Sequence, residues 1–221
     1  MEFPGVLPAG GSCLHRRSLM LPNGFVYVKA LIPSAQEDVR YAGSHNFIGR
    51  PVDGYAAARI VLTSEAAKAL KAAAEAFAAK GYTLLLYDGY RPQRAVNHFM
   101  RWAEDMQDTA AKAEFYPDLN KAELFDRGYI ARRSGHSRGS TIDLTLLDSD
   151  GNPLDMGGEF DWFSPVSGHD YAGLTDTQKA NRLLLKNGMM DAGFSPYSEE
   201  WWHYRLTDEP YPDTYFDFVI E

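Results

Sequence analysis

Cysteine is almost absent from this chain: Cys13 is the only one in 221 residues. No internal disulfide can form, which fits a reducing compartment better than an oxidising one. Long apolar runs are missing too. No stretch approaches the roughly 18 residues that span a bilayer, so no membrane span is expected. The opening segment, M-E-F-P-G-V-L-P-A-G-G-S-C, lacks the basic start and apolar stretch of a secretory leader. The expected compartment is the cytoplasm, with the periplasm as the alternative if a leader has been removed. Positive charge is also in short supply, and the formal net charge is −8. Nucleic acids and anionic cell-wall polymers reward a basic footprint, so neither is an expected partner. A small zwitterion would be indifferent to that charge. No repeat and no dividing linker is visible.

What is present is ordinary in bulk: 45% hydrophobic and 24% charged residues, enough for one large domain with a substantial core. Residues 1–23, rich in Gly and Pro, read as a loose extension ahead of a single domain at 24–221. Phe25 to Ile32 reads as a strand. From Val39 to Tyr55 the pattern is irregular, and Tyr41, Asn46 and Phe47 look like pocket lining. Ser64 to Lys80 is predicted helical, capped by Thr63 or Ser64, stopped by Gly81, and buried along Ala66, Leu70, Ala73, Ala74 and Phe77. Tyr82 to Tyr87 suits a central strand, followed by the turn D-G-Y-R-P and a helix from Pro92 to about Met106. Residues 107–133 are polar and broken. Thr141 to Leu147 alternates as a strand. The long loop 148–173 is of a length that is often functional. A helix from Thr175 to about Asp191, a strand from Trp201 to Leu206 and an aromatic tail from Tyr211 that packs down complete the reading.

Two segments carry the chemistry: S-G-H-S-R-G-S-T-I-D-L-T-L, from Ser134, and E-E-W-W-H-Y, from Glu199. They offer His136, Asp143 and His203 as three metal ligands, with Glu200 as a spare carboxylate. Three protein ligands leave the fourth position of a tetrahedral Zn²⁺ open, and the spare carboxylate can take a proton from water. Taken singly, Asp143 is a polar position on a strand face and His136 a solvated loop histidine. The tryptophan pair changes that, because two indoles side by side demand burial. In an extended segment Trp201 and His203 share one face and Trp202 and Tyr204 the other. Glu200 then reaches the same metal only from a turn built by Ser195, Pro196 and Ser198. Asp88 reads as turn support, Arg94 and Arg138 as structural, and His45, His98 and His169 as lacking partners at ligand spacing.

With these residues in view, the chain resembles the zinc D-alanyl-D-alanine dipeptidases of the vancomycin-resistance type. These sit within the D,D-peptidase group that shares the hedgehog-like α+β fold. The matching stretches are N-F-I-G-R-P-V-D-G-Y, Y-D-G-Y-R-P-Q-R-A-V, S-G-H-S-R-G-S-T-I-D-L-T-L, M-G-G-E-F-D, E-W-W-H-Y and D-E-P-Y-P-D-T-Y-F-D-F. Gly135 departs from the Ser-Ser-His expected there. The resemblance implies one α+β domain with a central, mostly antiparallel sheet and flanking helices. It implies one Zn²⁺ per chain on His136, Asp143 and His203, Glu200 as general base and then acid, and Arg91 facing the scissile carbonyl. Ser134 and Asp161 would receive the substrate's ammonium. The implied reaction is cleavage of the small dipeptide D-Ala-D-Ala to two D-alanines, serving glycopeptide resistance or D-alanine recovery. Two alternatives stand beside it: a D,D-carboxypeptidase on peptidoglycan stem peptides, and a non-catalytic zinc-dependent binding module. The presence of Glu200 and Arg91 speaks against the second, since binding alone requires neither.

Overall fold

A computed structural model describes residues 21–221; Cys13 and residues 1–20 of the expected extension lie outside the described residues. The chain forms a two-stranded antiparallel ribbon of β1 (Phe25–Tyr27) and β3 (Val61–Thr63). Its main sheet joins β2 (Gln36–Glu37), β4 (Thr83–Asp88), β5 (Thr141–Leu147), β7 (Glu200–Leu206) and β6 (Phe194–Tyr197), in that spatial order. Only the β2–β4 pair is parallel. The class is therefore α+β with a mostly antiparallel central sheet, as the sequence implied.

Three helices pack around it. In α2 (Ser64–Ala78) the Thr63 hydroxyl accepts from the Ala66 amide, and Ala66, Leu70, Ala73 and Phe77 are buried. In α6 (Asp176–Asp191) Thr175 and Gln178 form a reciprocal capping box, which satisfies two otherwise unpaired backbone donors. The third helix, α3 (Gln93–Glu104), has no side-chain cap of its own. The C-terminal segment supplies the partners instead. Gln93 N donates to Phe216 O at 3.0 Å and Arg94 N to the Asp217 carboxylate at 2.7 Å. A carboxylate at a helix N-terminus is well placed electrostatically. The same segment sends Phe216 and Phe218 against Phe25 and Tyr90, with Tyr90 and Phe218 stacked at 4.0 Å. The tail thus packs down as its aromatics suggested, and Arg94 and Arg138 hold it through Asp217 and Glu209.

Several local expectations need correction. The strand from Phe25 ends at Tyr27, and Val28–Leu31 makes one helical turn, α1. Its partner β3 offers only three residues, so beyond Tyr27 the backbone closes on itself, with Ile32 N donating to Val28 O at 2.9 Å. Residues 194–197, read as turn-formers because of Ser195 and Pro196, are strand β6. It lies at the sheet edge, where proline's missing N–H is harmless. The broken stretch 107–133 holds two single-turn helices, α4 (Lys112–Phe115) and α5 (Glu123–Asp126). Asn46 does not line a pocket. Its amide donates to the carbonyls of Arg40, Gly43 and Arg50, closing a turn. Among the described residues, no helix is long and apolar enough to cross a membrane.

Candidate active site

The site lies where β4, β5 and β7 run side by side. All of β5 is buried, so Asp143 is a carboxylate inside the protein, 2% exposed, and not a solvated strand position. Its Cα partner on one side is Asp88, the last residue of β4, and on the other His203 of β7. His136 enters from a tight 3₁₀ turn, Gly135–Arg138, whose first free N–H is accepted by the Ser134 hydroxyl. Gly139 ends that turn in the left-handed region, where a Cβ would overlap the Phe25 ring. At Gly135 a Cβ would stand 3.0 Å from Thr141 Oγ1, so the departure from serine suits a tightly packed loop.

Three ligand atoms converge. His136 Nε2 is 3.2 Å from Asp143 Oδ2 and 3.3 Å from His203 Nδ1, and His203 Nδ1 is 3.1 Å from Asp143 Oδ1. Ligands at about 2.0–2.1 Å in a tetrahedron stand roughly 3.3 Å apart, so the cluster has the dimensions of a metal site. Two further observations fit a cation. The His136 Nδ1–H donates to Gly89 O at 2.8 Å, leaving the Nε2 lone pair facing inward. Asp143 Oδ1 is buried with only His203 Nδ1 beside it, out of good hydrogen-bond alignment, a costly state for a carboxylate oxygen unless a cation meets it. The residues present fit a divalent metal.

Charge around the cluster follows from burial and neighbours. Burial alone would raise the Asp143 carboxyl, but His136 and His203 hold it well below the ordinary carboxylate range. Burial would lower His203, yet its contacts with Asp143 raise it. Glu200 is raised, first by burial and then by Asp143, with His203 opposing.

Glu200 reaches the cluster by a break in strand register. Along the hairpin Pro196 pairs with Tyr204, but the next residue, Tyr197, pairs with Glu200. Three residues of β7 thus have no partner in β6, and the extra length brings Glu200 and His203 to one side. Glu200 Oε2 sits 3.5 Å from His203 Nδ1. The sequence required Glu200 to come from the turn, and it is the first residue after it.

Arg91, on the segment between β4 and α3, is buried on its remaining sides. Its Nε donates to Asp88 Oδ2 at 2.8 Å, its NH2 lies 3.7 Å from Asp143 Oδ2, and its guanidinium rests over the Tyr41 and Phe99 rings at 5.0 and 5.2 Å. Asp88 does more than support a turn. Fully buried, it also accepts from the Tyr55 hydroxyl at 2.6 Å and lies 3.5 Å from His136 Nδ1. It ties the arginine and the histidine together.

Asp161 closes the other end. It is 7% exposed, and Tyr41 OH donates to its Oδ2 at 2.6 Å. Burial pushes its carboxyl well above the ordinary range, against the pull of Tyr41 and Arg91. It is the only non-glycine residue with positive φ, 60°, among the described residues. Such a conformation persists only where neighbours enforce it. Phe160 stacks on Tyr87 at 4.5 Å, and the Arg182 guanidinium binds the carbonyls of Met156, Val166 and Gly168. The 148–173 loop is thereby a fixed wall.

Ser134, Arg91, Asp161, Glu200 and the three ligand residues all line one cavity of about 220 Å³, small beside the ~300–1,000 Å³ typical of pockets for drug-sized ligands. Every residue singled out for the site faces this space. Tyr41 and Phe47, read as lining, are there too. Tyr55 and Asp88 are the functional neighbours that sequence reasoning missed. A charged residue closing an apolar strand was the available signal for Asp88.

The family model described as D-ala-D-ala dipeptidase, of peptidase family M15, matches residues 22–221. The chain belongs to this family. Within it, a D-alanyl-D-alanine dipeptidase of Streptomyces coelicolor is 49% identical over 197 residues, covering 89% of this chain and 98% of its own length. One from Enterococcus faecalis is 46% identical, covering 90% and 100%. A dipeptidase-family member is a metallopeptidase, so the metal-sized cluster belongs to an enzyme. Among solved structures, the vancomycin-resistance D,D-pentapeptidase VanY with Zn(II) aligns over 70% of this chain and 77% of its own, at 17% identity and a TM-score of 0.41.

Proposed function

We propose that this chain hydrolyses D-Ala-D-Ala to two D-alanines with one Zn²⁺ held by His136, Asp143 and His203. The observation that carries the reading is a small cavity in which a two-histidine, one-carboxylate cluster, a separate buried glutamate, an arginine and a second buried carboxylate face one another. When bound, Zn²⁺ supplies Lewis acidity, lowering the pKa of water and drawing charge from a carbonyl. Glu200 takes the proton of the attacking water and returns it to the leaving amine. Its raised affinity for protons suits both halves of that task. Arg91, held by Asp88 and the two aromatic rings, faces the carbonyl oxygen as it gains negative charge. Ser134 and Asp161 receive the ammonium of the substrate, with Tyr41 orienting the aspartate.

The dipeptide limit follows from Asp161. A carboxylate this buried holds its charge poorly without a cation, and an acylated N-terminus brings none. A D,D-carboxypeptidase would need an open groove at this end, where the buried Asp161 and Phe163 line the cavity. The test is amine release from D-Ala-D-Ala beside N-acetyl-D-Ala-D-Ala and L-Ala-L-Ala. Hydrolysis of the acetylated substrate at a comparable kcat/KM would overturn the dipeptidase reading. Asp161→Ala is expected to weaken cleavage of the free dipeptide while narrowing its lead over the acetylated one. An equal loss on both would make Asp161 structural.

The metal is expected at one equivalent per chain, and activity should vanish with a chelator and return with Zn²⁺. Its affinity should also depend on pH in a particular direction. A ligand imidazole must be neutral, and the proton affinity of His203 is raised above its ordinary 6.5. Acidification through that raised value protonates His203 and weakens binding, whereas Asp143 stays ionised far below. Competition titrations across pH should therefore show affinity falling as pH drops through the imidazole range, above the carboxylate range. Affinity that holds until the carboxylate range would contradict the assignment.

A further inference from the structure

The dipeptide carries a free carboxylate as well as an ammonium. The cavity is walled by the carboxylates of Asp143, Asp161 and Glu200, so a substrate carboxylate entering it needs a cation close by. Two arginines line the cavity, Arg91 and Arg133. Arg91 is committed: Asp88 holds its Nε, Asp143 lies beside its NH2, and the rings of Tyr41 and Phe99 fix its plane. Arg133 is different. Among the described residues it has no carboxylate partner, and its guanidinium lies over the Tyr215 ring at 5.1 Å. Tyr215 is steadied in turn, since Arg138 NH1 donates to its hydroxyl at 3.4 Å and Arg138 Nε to Glu209 at 2.9 Å. A guanidinium resting on an aromatic face is oriented while its N–H fork stays available. Chain continuity places it three residues ahead of His136, at the rim of the same cavity.

We infer that Arg133 receives the C-terminal carboxylate of the substrate and so makes the enzyme selective for a free C-terminus. This rests on the dipeptidase reading above and adds the second end of the molecule to it: Asp161 measures one terminus and Arg133 the other. A planar guanidinium suits a carboxylate, which can accept two parallel N–H bonds. It does not suit a carboxamide, which brings no negative charge.

The experiment compares D-Ala-D-Ala with its C-terminal amide, using the zinc-loaded full chain and the Arg133→Gln and Arg133→Lys variants. Wild type should prefer the free acid. Arg133→Gln should lose roughly 10–100-fold in kcat/KM on the acid, the worth of a charge-assisted hydrogen bond. Most of that loss should appear in KM, and the gap to the amide should close. Arg133→Lys should recover part of the preference, because it restores the charge without the fork. Equal losses on acid and amide, or a wild type indifferent between them, would overturn the assignment of Arg133 while leaving the dipeptidase reading intact. A wild type inactive on both substrates would overturn that reading, and this assignment with it. Arg133 is exposed, so the variants should keep the wild-type melting temperature. A fall in it together with equal losses would mark a structural role.

Discussion

Glu200→Ala is expected to lower kcat by about 10²–10⁴-fold, the usual worth of a general base, while the protein keeps its metal. The residue touches the ligand cluster only through His203, at 3.5 Å, and the register break that delivers it lies outside the β5–β7 pairing that sets Asp143 against His203. Removing the carboxylate leaves the three ligands where they are. The measurement is kcat alongside metal content on the same purified sample. Near-normal kcat would end the assignment of Glu200 as base. Loss of metal with loss of rate would make it a ligand, and the division between holding the metal and moving the proton would have to be redrawn.

Arg91→Ala is expected to cost on the order of 10²–10³ in kcat, comparable to the removal of one oxyanion donor, with a modest change in KM. The reason is timing: the carbonyl oxygen acquires charge only after attack, so a group aimed at it acts on the transition state more than on the ground state. Asp88 and the two rings hold the guanidinium in advance, and little reorganisation is left for the reaction itself. A large rise in KM with unchanged kcat would place Arg91 on the substrate carboxylate and take that part from Arg133. Asp88→Asn offers an internal check, because it leaves Arg91 present but less firmly held.

Much of this was legible in the sequence because the signals were local. Thr63 and Gly81 bracket α2, Thr175 and Gln178 begin α6, and β5 shows strict alternation. The ligand spacing from His136 to Asp143 is a turn followed by half a strand, both readable in one stretch. The illegible parts depend on long-range pairing. Asp88 looks like a turn residue until β4 is laid beside β5, 55 residues later. Tyr55 and Tyr41 then bring hydroxyls to Asp88 and Asp161 from a segment with no periodicity at all. Pro196 argued against β6, since nothing in the sequence marks which strand is an edge. For Glu200 the sequence sets only a condition, and the hairpin's register shows how it is met.

The pairing of Asp88 with Asp143 across β4 and β5 has a consequence for the thermal tolerance of the metal-free protein. Like charges directly opposite on adjacent strands destabilise a sheet, and here both are buried, with Arg91 bridging them from 2.8 and 3.7 Å. Metal binding adds the counter-charge that the native sheet lacks, so chelation should lower the melting temperature as well as abolish turnover. Asp143→Asn, inactive by design, should melt lower still than wild type when both are stripped of metal at pH 8, because His136, His203 and Arg91 favour the ionised carboxylate. A higher melting temperature would show instead that the conflict of Asp143 with Asp88 outweighs those attractions. The expected result is a double dependence built into one rung of the sheet: the carboxylate that makes the site reactive also steadies the metal-free fold, and the metal steadies it further.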